Sequence, residues 1–462
     1  MKEFFKVKHF SKKSKARVGE IKTSHGVIKT PAFVPVATKG TLKALPPQFI
    51  KEIGIQVAFV NTYHLVTHPG GGVIEAAGGI HKFANLDIPL MSDSGGFQIF
   101  SLAREKIQNS KFKVQNNNLK LKIRLFQADV RGEEEPLVVK ISDDGVKFRS
   151  TYDGRLIEFT PEKSIEYQSK IGADLMMSFD ECTYYPATHE YTKRAMERTH
   201  GWLIRCINYK RKTRYRNFLS PVGPPPSAAS QVAKNLVSSF SSSRRSPITD
   251  RQYLYGVVQG GTFKDLRKKS AEFVVSQNTD GVAIGGVSVG ESKRKMRDQV
   301  RWVADYLPKD RPVHLLGVGQ FDDIVDLVKY GIDTFDCVEP TRLARVGRIY
   351  EWRRVVRVEG LPTTRRSGDI HRLSSIGGRE TRDRTRRQDF DIDILKGIYK
   401  KDLSPVDENC QCYVCQNFTK AYLHHLFKQK EILGYTLATY HNLWVMERFF
   451  EKIRDAIRKD LI

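Results

Sequence analysis

Three cysteines fall within six residues, Cys410-x-Cys412-x-x-Cys415. Thiolates at that spacing suit a metal ion, and one imidazole would complete a tetrahedral set. His441 is a candidate for it, although His424 and His425 lie nearer in sequence. Those two fall in a helical stretch, where an exposed or capping role is expected of them. With all four positions filled by protein, the ion, one Zn2+ per chain, would be structural, with no place for a reacting water. A second group is made of carboxylates that close apolar runs. Asp93 precedes Ser94, Gly95, Gly96 and Phe97; Asp180 precedes Glu181 and Cys182; Asp336 precedes Cys337. Singly, each could cap a helix as readily as serve as nucleophile or proton carrier. Together with Gln259 and the Gly285-Gly286 pair they describe a pocket. The strand ends lack the paired histidines of a catalytic metal cluster, so these carboxylates are expected to act without metal.

The elements that must position them are short and apolar. Runs at 31–38, 57–64, 89–96, 174–182, 254–261, 281–286, 313–319 and 332–338 suit strands buried on both faces of a parallel sheet. Helical stretches lie between most of them: one opened by Thr160-Pro161-Glu162 and ended at Gly172, then 189–209, 263–278, 291–306 and 321–330. Eight strands alternating with helices indicate a (β/α)8 barrel. An open doubly wound sheet could show the same alternation. The barrel is favoured because Asn61, Asp93, Asp180, Gln259, Gly286 and Asp336 all follow strands, whose C-terminal ends converge on one mouth. The division that follows is a catalytic barrel over 1–350 with insertions at about 104–147 and 211–250, an Arg-rich insertion at 351–390, and a zinc-binding subdomain with C-terminal helices over 391–462. The insertions read as solvated segments by composition. Residues 342–390 hold fourteen arginines, no lysine and six acidic residues. Gly70-Gly71-Gly72 does not form a dinucleotide loop, Cys206 reads as a core residue, and Trp444, Phe449 and Phe450 as packing residues of the last helix.

Composition narrows the partner. Lys+Arg of 77 against Asp+Glu of 52 gives a formal charge of +25, a field that attracts polyanions. Six cysteines, three of them clustered, do not make a disulfide framework, so a reducing, cytoplasmic setting is expected. No run of apolar residues is long enough for a membrane span or a signal peptide core.

In one order, 31–43 (PAFVPVATKGTLK), 61–65 (NTYHL), 92–102 (SDSGGFQIFSL), 179–188 (FDECTYYPAT), 256–261 (GVVQGG), 284–291 (IGGVSVGE), 335–345 (FDCVEPTRLAR) and 405–427 resemble the tRNA-guanine transglycosylases. The likeness covers most of 17–103, 148–210, 252–350 and 395–462. It implies a TIM barrel with a zinc-binding subdomain, and an enzyme that exchanges guanine in tRNA through a covalent intermediate. On that resemblance Asp336 matches the nucleophile and Asp93 the general acid/base. Asp93, Ser94, Gly95, Gly96, Phe97, Asp180, Cys182, Gln259, Gly286 and Val287 match the pocket for the base, with Phe97 stacking on the purine. Thr341, Arg342, Leu343, Ala344 and Arg345 match a segment that reads the anticodon wobble region. Gly317, Val318, Gly319, Gln320, Phe321, Asp322 and Asp323 match another RNA contact. The fourth metal ligand carries over as His441. The tRNA anticodon stem-loop and a deazaguanine base are the implied partners, and a homodimer the implied assembly. Cys182 and Val289 resemble members that insert the aminomethyl-deazaguanine (preQ1-type) precursor of queuosine; a queuine-inserting enzyme and an inactive partner subunit are the alternatives. Inactive subunits lose active-site carboxylates, and all three are present here. Two positions depart from the pattern: Glu339 stands where a smaller neutral residue is usual, and Val346 where asparagine is.

Overall fold

A computed structural model of the chain describes residues 4–96, 137–150, 153–219, 252–358 and 390–462. All eight apolar runs form strands of one parallel sheet: β4 (Ala32–Pro35), β5 (Ala58–Val60), β6 (Leu90–Ser92), β10 (Leu175–Met177), β11 (Tyr253–Val258), β12 (Gly281–Ile284), β13 (Val313–Leu315) and β14 (Thr334–Cys337). The order is β4-β14-β13-β12-β11-β10-β6-β5, and a parallel bridge between Val36 and Phe59 brings the two ends of that order together. The sheet is a nearly closed barrel, as the alternation of runs and helices predicts.

Strand parity decides which side chains reach the barrel axis. Ala32, Val34, Phe59, Met91, Leu175, Met177, Tyr253, Tyr255, Val257 and Ala283 form one buried cluster inside the barrel. Their strand neighbours Phe33, Val60, Leu90, Met176, Leu254, Val258, Val282 and Ile284 join a second cluster, outside, with the helices. Continued past each strand end, the inward parity of Phe59 falls on Asn61, that of Met91 on Asp93, and that of Val257 on Gln259. Val313, Leu315 and Phe335 face outward, so His314 and Asp336 face in.

The opposite end of the barrel is plugged by an antiparallel sheet of β1 (Phe5–Phe10), β2 (Arg17–Thr23) and β3 (Gly26–Thr30), whose Phe5, Ile21 and Ile28 complete the inner cluster. Two buried carboxylates anchor that end. Asp333 takes Nε and Nη2 of Arg17 at 3.0 and 2.6 Å. Asp174 pairs with His25 and His81, whose rings stack 3.5 Å apart.

The helix Pro161–Ile171 begins and ends where expected: Thr160 Oγ1 accepts from the Lys163 N–H, and Gly172 takes a left-handed φ of 78°. Helices at Lys264–Ser276, Lys293–Val303 and Phe321–Val328 follow the expected stretches. Composition was a poor guide at the edges of the insertions. Residues 137–149 form β7 (Leu137–Ser142) and β8 (Gly145–Arg149), and β8 pairs both β7 and β9 (Leu156–Phe159), because Val146, Phe148 and Phe159 have a buried face to fill. The helix from His189 runs on to Leu219, into the segment expected to be a solvated linker. The Arg-rich stretch likewise starts as structure, with β15 (Arg348–Tyr350) pairing β16 (Asp391–Asp393); residues 359–389 lie outside the described part of the chain. The last helix, Ile432–Arg458, buries Phe449 and Phe450 against the barrel, as its aromatic spacing predicts. No helix among the described residues is long and apolar enough to cross a membrane.

Candidate active site and metal centre

Asp93 leaves β6 into a cradle of N–H donors. Asn61 Nδ2 donates to its Oδ2 over 2.5 Å, and the backbone N–H groups of Thr62 and Gly95 donate to Oδ1 over 2.7 and 3.2 Å. Asn61 uses its own Oδ1 to cap the helix Thr62–Thr67, so the same residue fixes the helix start and the carboxylate. Ser94 Oγ donates to Asp180 Oδ1 over 2.9 Å, and Gln259 Nε2 to Asp180 Oδ2 over 2.7 Å. The ends of β6, β10 and β11 are thus joined through one carboxylate. Burial raises the Asp180 carboxyl to about 6 in spite of the two donors. Gly96 allows the approach: a Cβ there would meet the Asp180 carbonyl oxygen at 2.5 Å. Phe97 lies outside the described residues.

The far wall comes from β11 and β12. Gly286 sits at φ 61°, and a Cβ on it would lie 2.3 Å from Gln259 Oε1. Gln259 Oε1 is a buried acceptor without a hydrogen-bond partner among the described residues. Val287 is buried, and Cys182 is buried too, its thiol pushed up to about 12 by that burial. Glu291 accepts from the N–H groups of Ser288 and Val289 at 2.6 and 2.9 Å and fixes the next stretch of this loop.

Asp336, one residue before the end of β14, has its two oxygens in different surroundings. Oδ1 accepts from the Gly317 N–H at 2.9 Å and lies 3.2 Å from His314 Nε2. Oδ2 has no hydrogen-bond partner among the described residues, and the side chain is 13% exposed. His314 is held from behind by Thr334 Oγ1 at 2.9 Å. Sequence reasoning missed His314, although strand parity alone puts it on the barrel axis beside Asp336.

The expected RNA segments divide between surface and core. In the helix Glu339–Arg345, Arg342 is exposed and Leu343 and Arg345 half-buried, whereas Thr341 and Ala344 are buried. In the other segment, Gly317 serves Asp336, Val318 is buried, and a Cβ on Gly319 would collide with Cys337. Phe321 points into the core, edge-on to Tyr350, Phe390 and Phe449. Asp322 and Asp323 are paired with Lys293 and Arg297. Gln320 Nε2 donates to Glu339 Oε1 over 3.1 Å, tying the two segments together. Val346 is exposed.

The four candidate metal ligands converge as well. Cys410, Cys412, Cys415 and His441 are buried, with ligand atoms within 4.8 Å of one another. The three Sγ atoms lie 3.9, 3.3 and 3.4 Å from His441 Nδ1. Ligands at tetrahedral zinc distances would be about 3.6 Å apart, so the set fits such an ion. His441 Nε2 meets the Tyr350 carbonyl oxygen at 2.7 Å, which leaves Nδ1 as the coordinating atom. His424 is not a ligand, nor is it exposed as expected: it is buried, and its Nδ1 meets the Ile394 carbonyl at 2.7 Å.

A parallel barrel with three carboxylates at the C-terminal ends of its strands, and a buried cluster of three cysteines and a histidine that could hold a metal ion, defines a TIM-barrel protein with a candidate metal site. The queuine tRNA-ribosyltransferase family profile matches residues 12–125 and 129–462. A queuine tRNA-ribosyltransferase of Caldanaerobacter subterraneus subsp. tengcongensis is 40% identical over 448 residues, 97% of this chain and 92% of that protein. Relatives of the same name in Thermoanaerobacter pseudethanolicus and Roseiflexus sp. are 39% and 37% identical, over 97% and 96% of this chain and 92% and 93% of their own lengths. The chain belongs to the queuine tRNA-ribosyltransferase family, the tRNA-guanine transglycosylases, and is an enzyme of that family.

Proposed function

We propose that the chain replaces guanine at the anticodon wobble position of tRNA with a 7-deazaguanine of the preQ1 type, through a covalent enzyme–RNA intermediate on Asp336. The observation that carries this reading is the divided environment of Asp336: Oδ1 is tethered, and Oδ2 has no hydrogen-bond partner among the described residues. A carboxylate so held is oriented for attack with one oxygen free. That oxygen bonds to ribose C1′ as the C1′–N9 bond breaks, and the electron pair leaves with guanine. Asp93, protonated at the start of the cycle, gives the departing base that proton and becomes a carboxylate. The incoming base returns a ring proton to Asp93, attacks C1′ and displaces Asp336, so protons and bonds balance over one exchange. Its cradle of Asn61, Thr62 and Gly95 holds the Asp93 carboxylate in place for both transfers.

The base is read on its polar edge, as an extruded nucleotide is. Asp180 and Gln259 Oε1, which has no partner among the described residues, accept its N–H groups, the backbone at Gly286 and Val287 donates, and Phe97 stacks on the ring. Cys182 and Val289 favour the aminomethyl precursor over queuine. Arg342 and Arg345, with the overall charge of +25, serve the anticodon stem-loop. Cys410, Cys412, Cys415 and His441 hold a structural zinc that braces the segment after Asp336. Dimerisation, acting in the cytoplasm, belongs to the same reading; Ile398, Leu403 and Ile432 expose apolar surface near the metal subdomain.

The test is incubation with anticodon stem-loop RNA and labelled guanine, queuine or the aminomethyl precursor. Incorporation of guanine and the precursor is expected. Preference for queuine would overturn the base assignment, and no incorporation of any base would overturn the activity.

A further inference from the structure

Arg267, on the helix Lys264–Ser276, is fully buried. Its guanidinium is spent on neutral acceptors. Nε donates to the Gly261 carbonyl over 2.7 Å, Nη1 to the Gly285 carbonyl over 2.6 Å, and Nη2 to the Gly286 carbonyl and to Gln299 Oε1, each over 2.6 Å. A buried cation is costly unless it is needed where it stands. These carbonyls belong to the two glycine turns that follow β11 and β12, the walls of the pocket that also holds Gln259 and Asp180.

The geometry of the peptide gives those bonds a consequence. In a planar trans peptide the C=O and N–H point opposite ways. Pinning the Gly285 and Gly286 carbonyls to Arg267 therefore turns the N–H groups of Gly286 and Val287 away from it. A cation on each carbonyl also polarises the peptide, which strengthens the N–H as a donor. The clamp continues: Gln299 Nε2 donates to Glu291 Oε1 over 3.2 Å, and Glu291 takes the N–H groups of Ser288 and Val289. The 285–289 loop is thus held by a cation on its carbonyls and by an anion on the amides that follow.

We propose that Arg267 is a positioning residue for base selection: through the Gly285 and Gly286 carbonyls it aims the backbone donors that recognise the free base. The inference rests on the pocket assignment above, and it concerns recognition of the base alone. Lysine cannot reproduce it, because an ammonium group cannot span acceptors set around a planar fork.

The experiment measures exchange with labelled guanine varied at saturating anticodon stem-loop RNA, then with the RNA varied at saturating guanine. Wild type is measured first; a wild type that exchanges no base removes the pocket assignment itself and this inference with it. For Arg267→Lys, KM for guanine is expected to rise about tenfold or more, the scale of losing a charge-assisted hydrogen bond, while KM for RNA stays as in wild type. A folded Arg267→Lys with wild-type KM for guanine overturns the proposal. So does a fall in kcat alone that tracks the folded fraction by thermal unfolding, since that is what a merely structural role predicts. Should Arg267→Lys not fold, Gln299→Met, which removes one acceptor at similar volume, decides: a smaller rise in the same KM supports the proposal, and an unchanged KM overturns it.

Discussion

Tyr350 is held at both ends of its backbone by the last helix: His441 Nε2 meets its carbonyl oxygen at 2.7 Å, and Asn442 Oδ1 accepts its N–H over 2.9 Å. Asn442 Nδ2 also donates to the Pro340 and Arg348 carbonyls, at 3.1 and 3.0 Å. The residue that would bind the metal therefore sits beside the one that braces the helix Glu339–Arg345, which starts three residues after Asp336.

Removing a metal ligand should accordingly be felt at a distance. Purified protein is expected to carry one zinc ion per chain by elemental analysis, and His441→Ala to lose it. The variant also leaves the buried Tyr350 carbonyl unpaired, a cost of about 1–3 kcal/mol before the ion is counted. A lower Tm and weaker stem-loop binding should follow. Full zinc content with wild-type Tm in His441→Ala would exclude it as a ligand.

Asp336→Asn keeps the size of the side chain and its tether but not the nucleophile. Exchange should fall by several orders of magnitude, as when a nucleophile is removed from other covalent catalysts. Trapping of an RNA adduct on denaturing gels should vanish while stem-loop binding persists. An adduct surviving in this variant would place the covalent bond elsewhere.

Asp180 predicts opposite pH trends for stability and for base binding. Its carboxyl is raised to about 6 in the folded chain, against about 3.9 unfolded. As pH rises from about 4 to about 6 the unfolded chain releases this proton first, so stability falls over that window and is level above it. The cost is of the order of 3 kcal/mol. Base affinity should instead rise through about pH 6, because the ionised carboxylate is the acceptor. Asp180→Asn should abolish both slopes, checked by denaturant titration and by guanine KM at each pH.

Arg17 and Asp333 form a buried pair at the closed end of the barrel, 2.6 Å apart and far from the chemistry. Arg17→Met strands the Asp333 charge, which typically costs about 3–5 kcal/mol. Thermal or urea unfolding should show the loss, while kcat per folded molecule remains that of wild type. A fall in kcat at constant folded fraction would mean that this end of the barrel is coupled to the mouth.

Much of this was legible early because the signals were local. The eight apolar runs, the Thr160 cap with Gly172, and the cysteine spacing each rest on residues a few positions apart. Composition failed at the insertion edges. Lys- and Arg-rich stretches looked solvated, yet Val146 and Phe148 had a sheet face to bury, and the helix from His189 continued past its apolar pattern. Phe321 and His424 show the same limit from the other side. The resemblance made Phe321 an RNA contact and His424 was expected to be exposed or capping, yet each is buried because a distant element packs on it.

By itself the sequence determined the eight strands, the cysteine cluster and the three carboxylates that follow strands, since periodicity and spacing are properties of a chain, while His441 as the fourth candidate ligand came from the resemblance. Only the tertiary structure decided how those carboxylates differ. Asp93 is gripped by donors from β5 and the turn after β6, Asp180 is desolvated between Ser94 and Gln259, and Asp336 is tethered by one oxygen. The Arg267 clamp, too, joins residues of two turns and two helices. Environments of this kind arise from groups far apart in sequence, so no local pattern encodes them, and barrel closure is what brings them within hydrogen-bonding reach.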